Sequence, residues 1–189
     1  MLVRIALALM TGAGVALASP IVYTASLSGP NENPVNASPG TGLATISFDP
    51  TAHTLRVQVS FSGLTGTTTA SHIHCCITTP GGTAGVATIT PTFTGFPLGV
   101  TSGTYDLTYD TTLASAWNPS YVTASGGTNA LAETALGVGL NAGTAYLNIH
   151  SSTFSGGEIR GFLVAVPEPS TWALTAGALA LGGLRRRRR

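Results

Sequence analysis

The sequence predicts an all-β fold, a Greek-key sandwich of about eight strands with one or two short helical connections. Apolar and polar residues alternate with a period of two along several segments, which is typical of strands that bury one face. Turn-forming residues separate those segments. Charged residues make up only 8% of the chain while the apolar content is near average, and this balance excludes a highly charged disordered chain.

The clearest predicted element is a hairpin over residues 42–62. Apolar residues occupy alternate positions in 44–48 and again in 55–61, and residues 49–53 between them have the composition of a turn. The same alternation predicts further strands at 21–28, 71–77, 86–90, 103–109, 144–150 and 157–164.

Two segments break the alternation and predict helical connections. Residues 111–117 indicate a short helix that ends at Asn118 and Pro119. Residues 128–140 indicate a second helix, because Leu131 and Leu136 follow helical spacing ahead of a glycine-containing turn.

The first 18 residues have the pattern of a secretory signal peptide. Arg4 supplies a positive charge, residues 5–17 are mostly apolar, and Ala16 and Ala18 form a small-residue cleavage site. A permanent anchor is the alternative, but spanning a bilayer takes about 20 apolar residues. The segment therefore predicts export.

Residues 166–189 form a distinctive tail. Pro167, Glu168 and Pro169 precede a short apolar stretch at 173–184, and five arginines follow at 185–189. This order resembles the PEP-CTERM sorting signal, whose family is processed by a membrane protease-transpeptidase, exosortase. The resemblance implies a Gram-negative host that makes extracellular polysaccharide or biofilm. The alternative is a plain C-terminal transmembrane anchor, for which the apolar stretch is marginally short.

The segment between the two ends is mildly acidic. Residues 19–165 contain two arginines, no lysine and six acidic residues, so they offer no basic surface for nucleic acid. They also contain no G-x-S-x-G, P-loop or H-E-x-x-H pattern. Composition and motifs together favour a protein that is not an enzyme.

Short motifs in this segment carry a family resemblance. They are NENP at 31–34, SHIH at 71–74, YLNIHS at 146–151 and GEIRG at 157–161. In this order they resemble the CHRD domain, over about residues 23–163, and place a domain at 19–165. The resemblance implies an immunoglobulin-like β-sandwich, or one like copper/zinc superoxide dismutase, in an exported protein without a settled activity. Cys75 and Cys76 stand where many relatives have glycine.

Three histidines are candidate metal ligands. His72 and His74 are two apart on a predicted strand and share a face, while His150 lies on the polar side of a later strand. If these strands pair, three imidazoles converge, and imidazole suits copper or zinc. The H-x-H pattern is also similar to part of the copper site of copper/zinc superoxide dismutases, whose acidic zinc loop has no counterpart here. The alternative is that the histidines are structural and bond to backbone, Asn148 or Glu158.

Cys75 and Cys76 are adjacent in an exported chain, where thiols meet an oxidising compartment. A disulfide between neighbours is strained, because a Cα spacing of about 3.8 Å lies below the usual range. Their side chains also point to opposite faces of an extended strand. The alternatives are a redox-labile pair, an intermolecular disulfide, or Cys76 as an extra ligand beside the histidines.

These observations predict a non-enzymatic, exosortase-sorted protein of the cell surface, outer membrane or extracellular matrix. Its tail anchors it in the membrane transiently, and its CHRD domain binds extracellular polysaccharide or other matrix proteins. The alternative is a copper- or zinc-binding module that uses His72, His74 and His150. A weaker alternative is an oxidoreductase related to superoxide dismutase.

Overall fold

The computed structural model describes residues 19–167 and has an all-β fold with few helices. Eight strands, each antiparallel to its neighbours, form one continuous sheet that curls on itself. The predicted all-β class is therefore confirmed. The predicted signal peptide at 1–18 lies outside the described residues, as does the tail from Glu168 onwards, including Pro169.

The eight strands are numbered in the order in which they occur along the chain. They are β1 (Ile21–Ser28), β2 (Thr41–Asp49), β3 (Thr54–Ser62), β4 (Thr68–His74), β5 (Gly103–Asp110), β6 (Tyr146–Ser151), β7 (Ile159–Phe162) and β8 (Val164–Ala165). Across the sheet the order is β4-β6-β7-β1-β2-β3-β5, and β8 also pairs with β1.

One half of the sheet contains β1, β2, β3 and β5 in long antiparallel register. The predicted hairpin at 42–62 is confirmed as β2 and β3, which pair from Thr41 with Ser62 to Asp49 with Thr54. The Asp49 carboxylate accepts backbone hydrogen bonds from Thr51 and Ala52, and so closes the turn.

The other half contains β4, β6 and β7, and the core lies between the two halves. Ile73 of β4 pairs with Leu147 of β6, and Ile149 of β6 pairs with Ile159 of β7. All four side chains are fully buried in the same hydrophobic cluster as the inward residues of β1, β2 and β3. The alternation that predicted the strands is therefore the pattern that fills the core.

Two α-helices, α1 (Pro119–Ala124) and α2 (Asn129–Asn141), lie between β5 and β6. The predicted helix at 128–140 is confirmed as α2, whose first turn is capped because the Thr128 hydroxyl accepts a hydrogen bond from the backbone N–H of Leu131. Among residues 19–167, no helix has both the length and the apolar character needed to cross a bilayer.

The predicted helix at 111–117 is wrong in extent and in its end. Only a 3-10 turn, Ala114–Ala116, forms there, and helix α1 begins where the chain was expected to stop being helical. Pro119 occupies the first turn of α1, where its missing N–H costs nothing, and Asn118 caps that turn by accepting a hydrogen bond from Ser120.

The predicted strand at 86–90 is also wrong, since only isolated bridges occur at Val86 and Thr88. The strand predicted at 71–77 ends at His74. The residues after His74 instead form a loop, 75–102, that runs along the edge of β4, where the Ala87 N–H donates to the Ile73 oxygen and the Phe93 N–H to the Ser71 oxygen. This loop and the segment 29–40 supply backbone oxygens to outward side chains of β4 and β7. We call these segments the cover loops.

Candidate metal centre

The pairing of β4 with β6 brings the three predicted histidines onto one face. His72 lies opposite Asn148, and His74 lies opposite Tyr146. Because side chains alternate along a strand and Ile73 points into the core, both histidines point outward. His150 follows Asn148 by two residues and shares that outer face.

The three imidazoles lie close enough to share one ion. One ring nitrogen from each of His72, His74 and His150 lies within 4.8 Å of the others. Metal–nitrogen bonds of about 2.0–2.1 Å hold tetrahedral ligand nitrogens roughly 3.4 Å apart, so an ion would draw the rings inward by about 1 Å.

Backbone carbonyls fix the other nitrogen of each ring. His72 Nε2 lies 2.6 Å from the Pro91 oxygen, His74 Nδ1 lies 2.8 Å from the Ala84 oxygen, and His150 Nδ1 lies 2.8 Å from the Ser155 oxygen. Carbonyl oxygens only accept, so these three nitrogens carry the proton and donate. This arrangement sets the tautomer, as the partners of metal-binding histidines commonly do.

The remaining nitrogen of each ring carries the lone pair that could bind an ion. His72 Nδ1, His74 Nε2 and His150 Nε2 are buried, and within residues 19–167 none has a hydrogen-bond partner. Burial lowers the pKa of His72 to about 4 and also lowers the pKa values of His74 and His150. All three rings are therefore neutral near pH 7, the form in which imidazole binds a metal.

The same segment carries the family signature. A family model for the CHRD domain matches residues 23–163, which include all three histidines. The chain belongs to the CHRD domain family. Comparison with curated proteins and with solved structures gave no match. Membership in this binding-type family favours a non-enzymatic role for the domain.

Tyr146 holds His74 in place within the CHRD domain. The two rings are stacked, with centroids 4.7 Å apart and planes 5° from parallel. The Tyr146 hydroxyl accepts a hydrogen bond of 3.2 Å from the N–H of Ala84, whose carbonyl oxygen binds His74. Tyr146 therefore supports the ligand both directly and through the cover loop.

Arg160 packs against the Tyr146 ring and connects the cover loops to the sheet through hydrogen bonds. Its guanidinium carbon is 4.8 Å from the Tyr146 ring centroid. It donates to the Gly81 oxygen at 2.9 Å and to the Gly82 oxygen at 3.0 Å, and it also donates to the backbone oxygen of Asn31. No sequence pattern indicates these partners, because the cover loops have no periodicity.

Cys75 and Cys76 form a disulfide just beyond the end of β4. The Cys76 sulfur lies 3.8 Å from the Ala135 oxygen of α2, and it is not in the three-histidine group found among the described residues. Cys76 as an extra ligand is not compatible with this arrangement, because a sulfur in a disulfide offers no thiolate. The expectation of opposite-facing side chains fails because the pair lies outside the strand.

Proposed function

We propose that this CHRD domain binds one copper or zinc ion between His72, His74 and His150, as a non-enzymatic module of an exported protein. One observation carries the proposal: three buried, neutral imidazole nitrogens converge while a backbone carbonyl fixes the opposite nitrogen of each ring. Three imidazoles are an established ligand set for either metal.

If the three histidines had only a structural role, that role would explain one nitrogen of each ring and leave the other nitrogen without a function. It explains the three bonds to backbone carbonyls, which were expected for structural histidines. It leaves three acceptor nitrogens facing one another, without a donor among the residues that the structure describes. A buried polar group without a partner costs about 1–3 kcal/mol, and one ion would satisfy all three nitrogens.

Metal analysis of the full-length protein tests the proposal. After incubation with Zn²⁺ or copper and removal of free metal, we expect one ion per chain by elemental analysis. A His72→Ala/His74→Ala variant should retain less than about a tenth of that amount, since a lone imidazole binds weakly. The matched control is Arg56→Ala/Asp106→Ala, which removes an exposed pair elsewhere and should retain one ion. A wild-type protein without stoichiometric metal would contradict the proposal.

We also propose that the two chain ends direct the protein out of a Gram-negative cell. Residues 1–18 would act as the signal peptide, and residues 166–189 as the PEP-CTERM tail that holds the chain in the membrane until exosortase processes it. The mature domain would then reside at the cell surface, at the outer membrane or in the extracellular matrix. There it would contact polysaccharide or other matrix proteins. The sequence patterns of both ends support this address, and the Cys75–Cys76 disulfide suits an oxidising compartment.

Intact-mass analysis of the native protein tests this address. We expect a mature chain that begins at Ser19 and lacks the five terminal arginines. Recovery of the uncleaved chain from the cytoplasm would contradict it, whatever the metal content.

A further inference from the structure

Asn148 is a buried side chain next to the three histidines. It lies on β6 two residues before His150 and directly opposite His72 on β4, and it shares their outer face. Only 2% of its surface is exposed. The asparagine therefore has its amide in the same covered space as the three imidazole nitrogens.

The Asn148 side-chain oxygen is available as a ligand. Oδ1 is buried and has no hydrogen-bond partner within the described part of the chain. Among residues 19–167 it is therefore an acceptor without a donor on the same outer face as the three acceptor nitrogens, and one ion could bind all four lone pairs.

Gly157 and Glu32 explain the orientation of this amide. A side chain at Gly157 would place its Cβ 2.9 Å from Asn148 Nδ2 and 2.7 Å from Glu32 Oε1. The amide nitrogen and the carboxyl oxygen therefore border one small space that only glycine leaves open. With its nitrogen on the Glu32 side, the amide presents its oxygen to the histidines.

We propose that Asn148 Oδ1 is the fourth ligand of the metal centre, and that the centre holds a divalent ion, Zn²⁺ or Cu²⁺, in preference to Cu⁺. This inference rests on the proposed metal-binding function. Amide oxygen is a hard donor that suits divalent ions, whereas Cu⁺ favours softer donors. Four protein ligands also make a closed site, which is typical of structural metal centres, whereas catalytic centres keep an open position.

Two variants of the full-length protein test the fourth ligand, with Zn²⁺ and Cu⁺ as probes. Asn148→Leu has no oxygen donor, so we expect its Zn²⁺ affinity to fall roughly tenfold to a hundredfold and its Cu⁺ affinity to stay within about threefold. Asn148→Asp offers a carboxylate oxygen, so it should bind Zn²⁺ at least as tightly as wild type. Gln58→Leu removes an amide on β3 that donates to Asp106, far from the histidines, and should change neither affinity.

A spectroscopic probe separates ligation from a structural role. Co²⁺ bound to the wild-type protein should give the intense visible absorption of a four-coordinate ion, and Asn148→Leu should change that spectrum. Equal losses of Zn²⁺ and Cu⁺ affinity in Asn148→Leu would overturn the inference, as would an unchanged Zn²⁺ affinity. If Asn148→Leu does not fold, a Zn²⁺ affinity in Asn148→Asp below that of wild type would overturn it. A wild-type protein that binds none of these ions would instead refute metal binding itself.

Discussion

Polar side chains point outward on both halves of the sheet, but they are exposed to solvent on one half and buried on the other. On the β2–β3–β5 half, Arg56 and Asp106 form a bidentate ion pair in water, with 48% and 47% of their side chains exposed. On the β4–β6–β7 half, the outward residues His72, Asn148 and Arg160 are only 7%, 2% and 2% exposed. The cover loops account for the difference.

This comparison shows where a polar residue acquires a specific role. Water can satisfy an outward polar group on the exposed half, so its identity matters little to the fold. Under the cover loops, each polar group must find a partner in the protein or in a ligand. Backbone carbonyls satisfy part of the buried set. Of the six buried side-chain atoms without a partner within residues 19–167, four belong to the three histidines and Asn148, and the other two are Glu32 Oε1 and the Tyr121 hydroxyl.

The largest expected effect comes from removing the buried arginine. Arg160→Ala should lower the free energy of unfolding by about 3–5 kcal/mol, because Glu32 and three backbone carbonyls lose their buried partner. Arg56→Ala on the exposed half should leave the urea midpoint unchanged, since water replaces its contacts. Urea unfolding of both variants measures the contrast, and comparable losses would remove the distinction between the two halves.

The sequence predicted the strands well because one physical signal defines them. Burial of a single face requires alternation, and the first predicted strand matches β1 (Ile21–Ser28) in both bounds. Helix α2 was predictable for a similar reason, since its spacing and its cap at Thr128 are local. The failures lie in residues 86–90 and 111–119, where the chain crosses other elements and tertiary contacts override local preference.

The candidate site was only partly predictable. The two-residue spacing of His72 and His74 places them on one face, but bringing in His150 requires the pairing of β4 with β6. The carbonyls of Pro91 and Ala84 could not be predicted, because any residue supplies a carbonyl and the cover loops have no period.

The second effect concerns acid stability of the metal-free protein. In the unfolded chain His72 titrates near 6.5, whereas burial lowers its folded pKa to about 4. Between pH 6.5 and about 4, His72 is therefore protonated in the unfolded chain but neutral in the folded chain. Stability is full above pH 6.5 and falls as the pH drops to about 4, by about 3 kcal/mol for His72. His74 and His150, whose pKa values are also lowered, add in the same direction.

The titration of Glu32 opposes the pH dependence of stability that the histidines cause. Removing its carboxyl group therefore makes the histidine contribution easier to measure. Burial is the main cause that raises the pKa of Glu32 from 4.5 to about 7. Its contribution is therefore full below pH 4.5 and is lost as the pH rises to about 7. Glu32→Gln should lose stability more steeply than wild type as the pH falls from 6.5. Urea titrations with a chelator present measure both slopes, and a flat profile in Glu32→Gln would contradict the histidine contribution.

The smallest expected effect is on Zn²⁺ affinity, and it comes from Tyr146, whose ring packs on His74. Tyr146→Phe keeps the stack on His74 but removes the hydroxyl that holds Ala84. We expect Zn²⁺ affinity to fall about tenfold, or about 1.4 kcal/mol, because the carbonyl that orients His74 is less firmly held. Tyr23→Phe on the other half removes a hydroxyl that donates to the Asn141 side chain of α2, outside the cover loops, and should leave the affinity unchanged. Competition titration against a chelator measures both affinities. Equal affinities in the two variants would mean that His74 is oriented by its carbonyl and ring contacts alone, and that the hydroxyl serves only the cover loop.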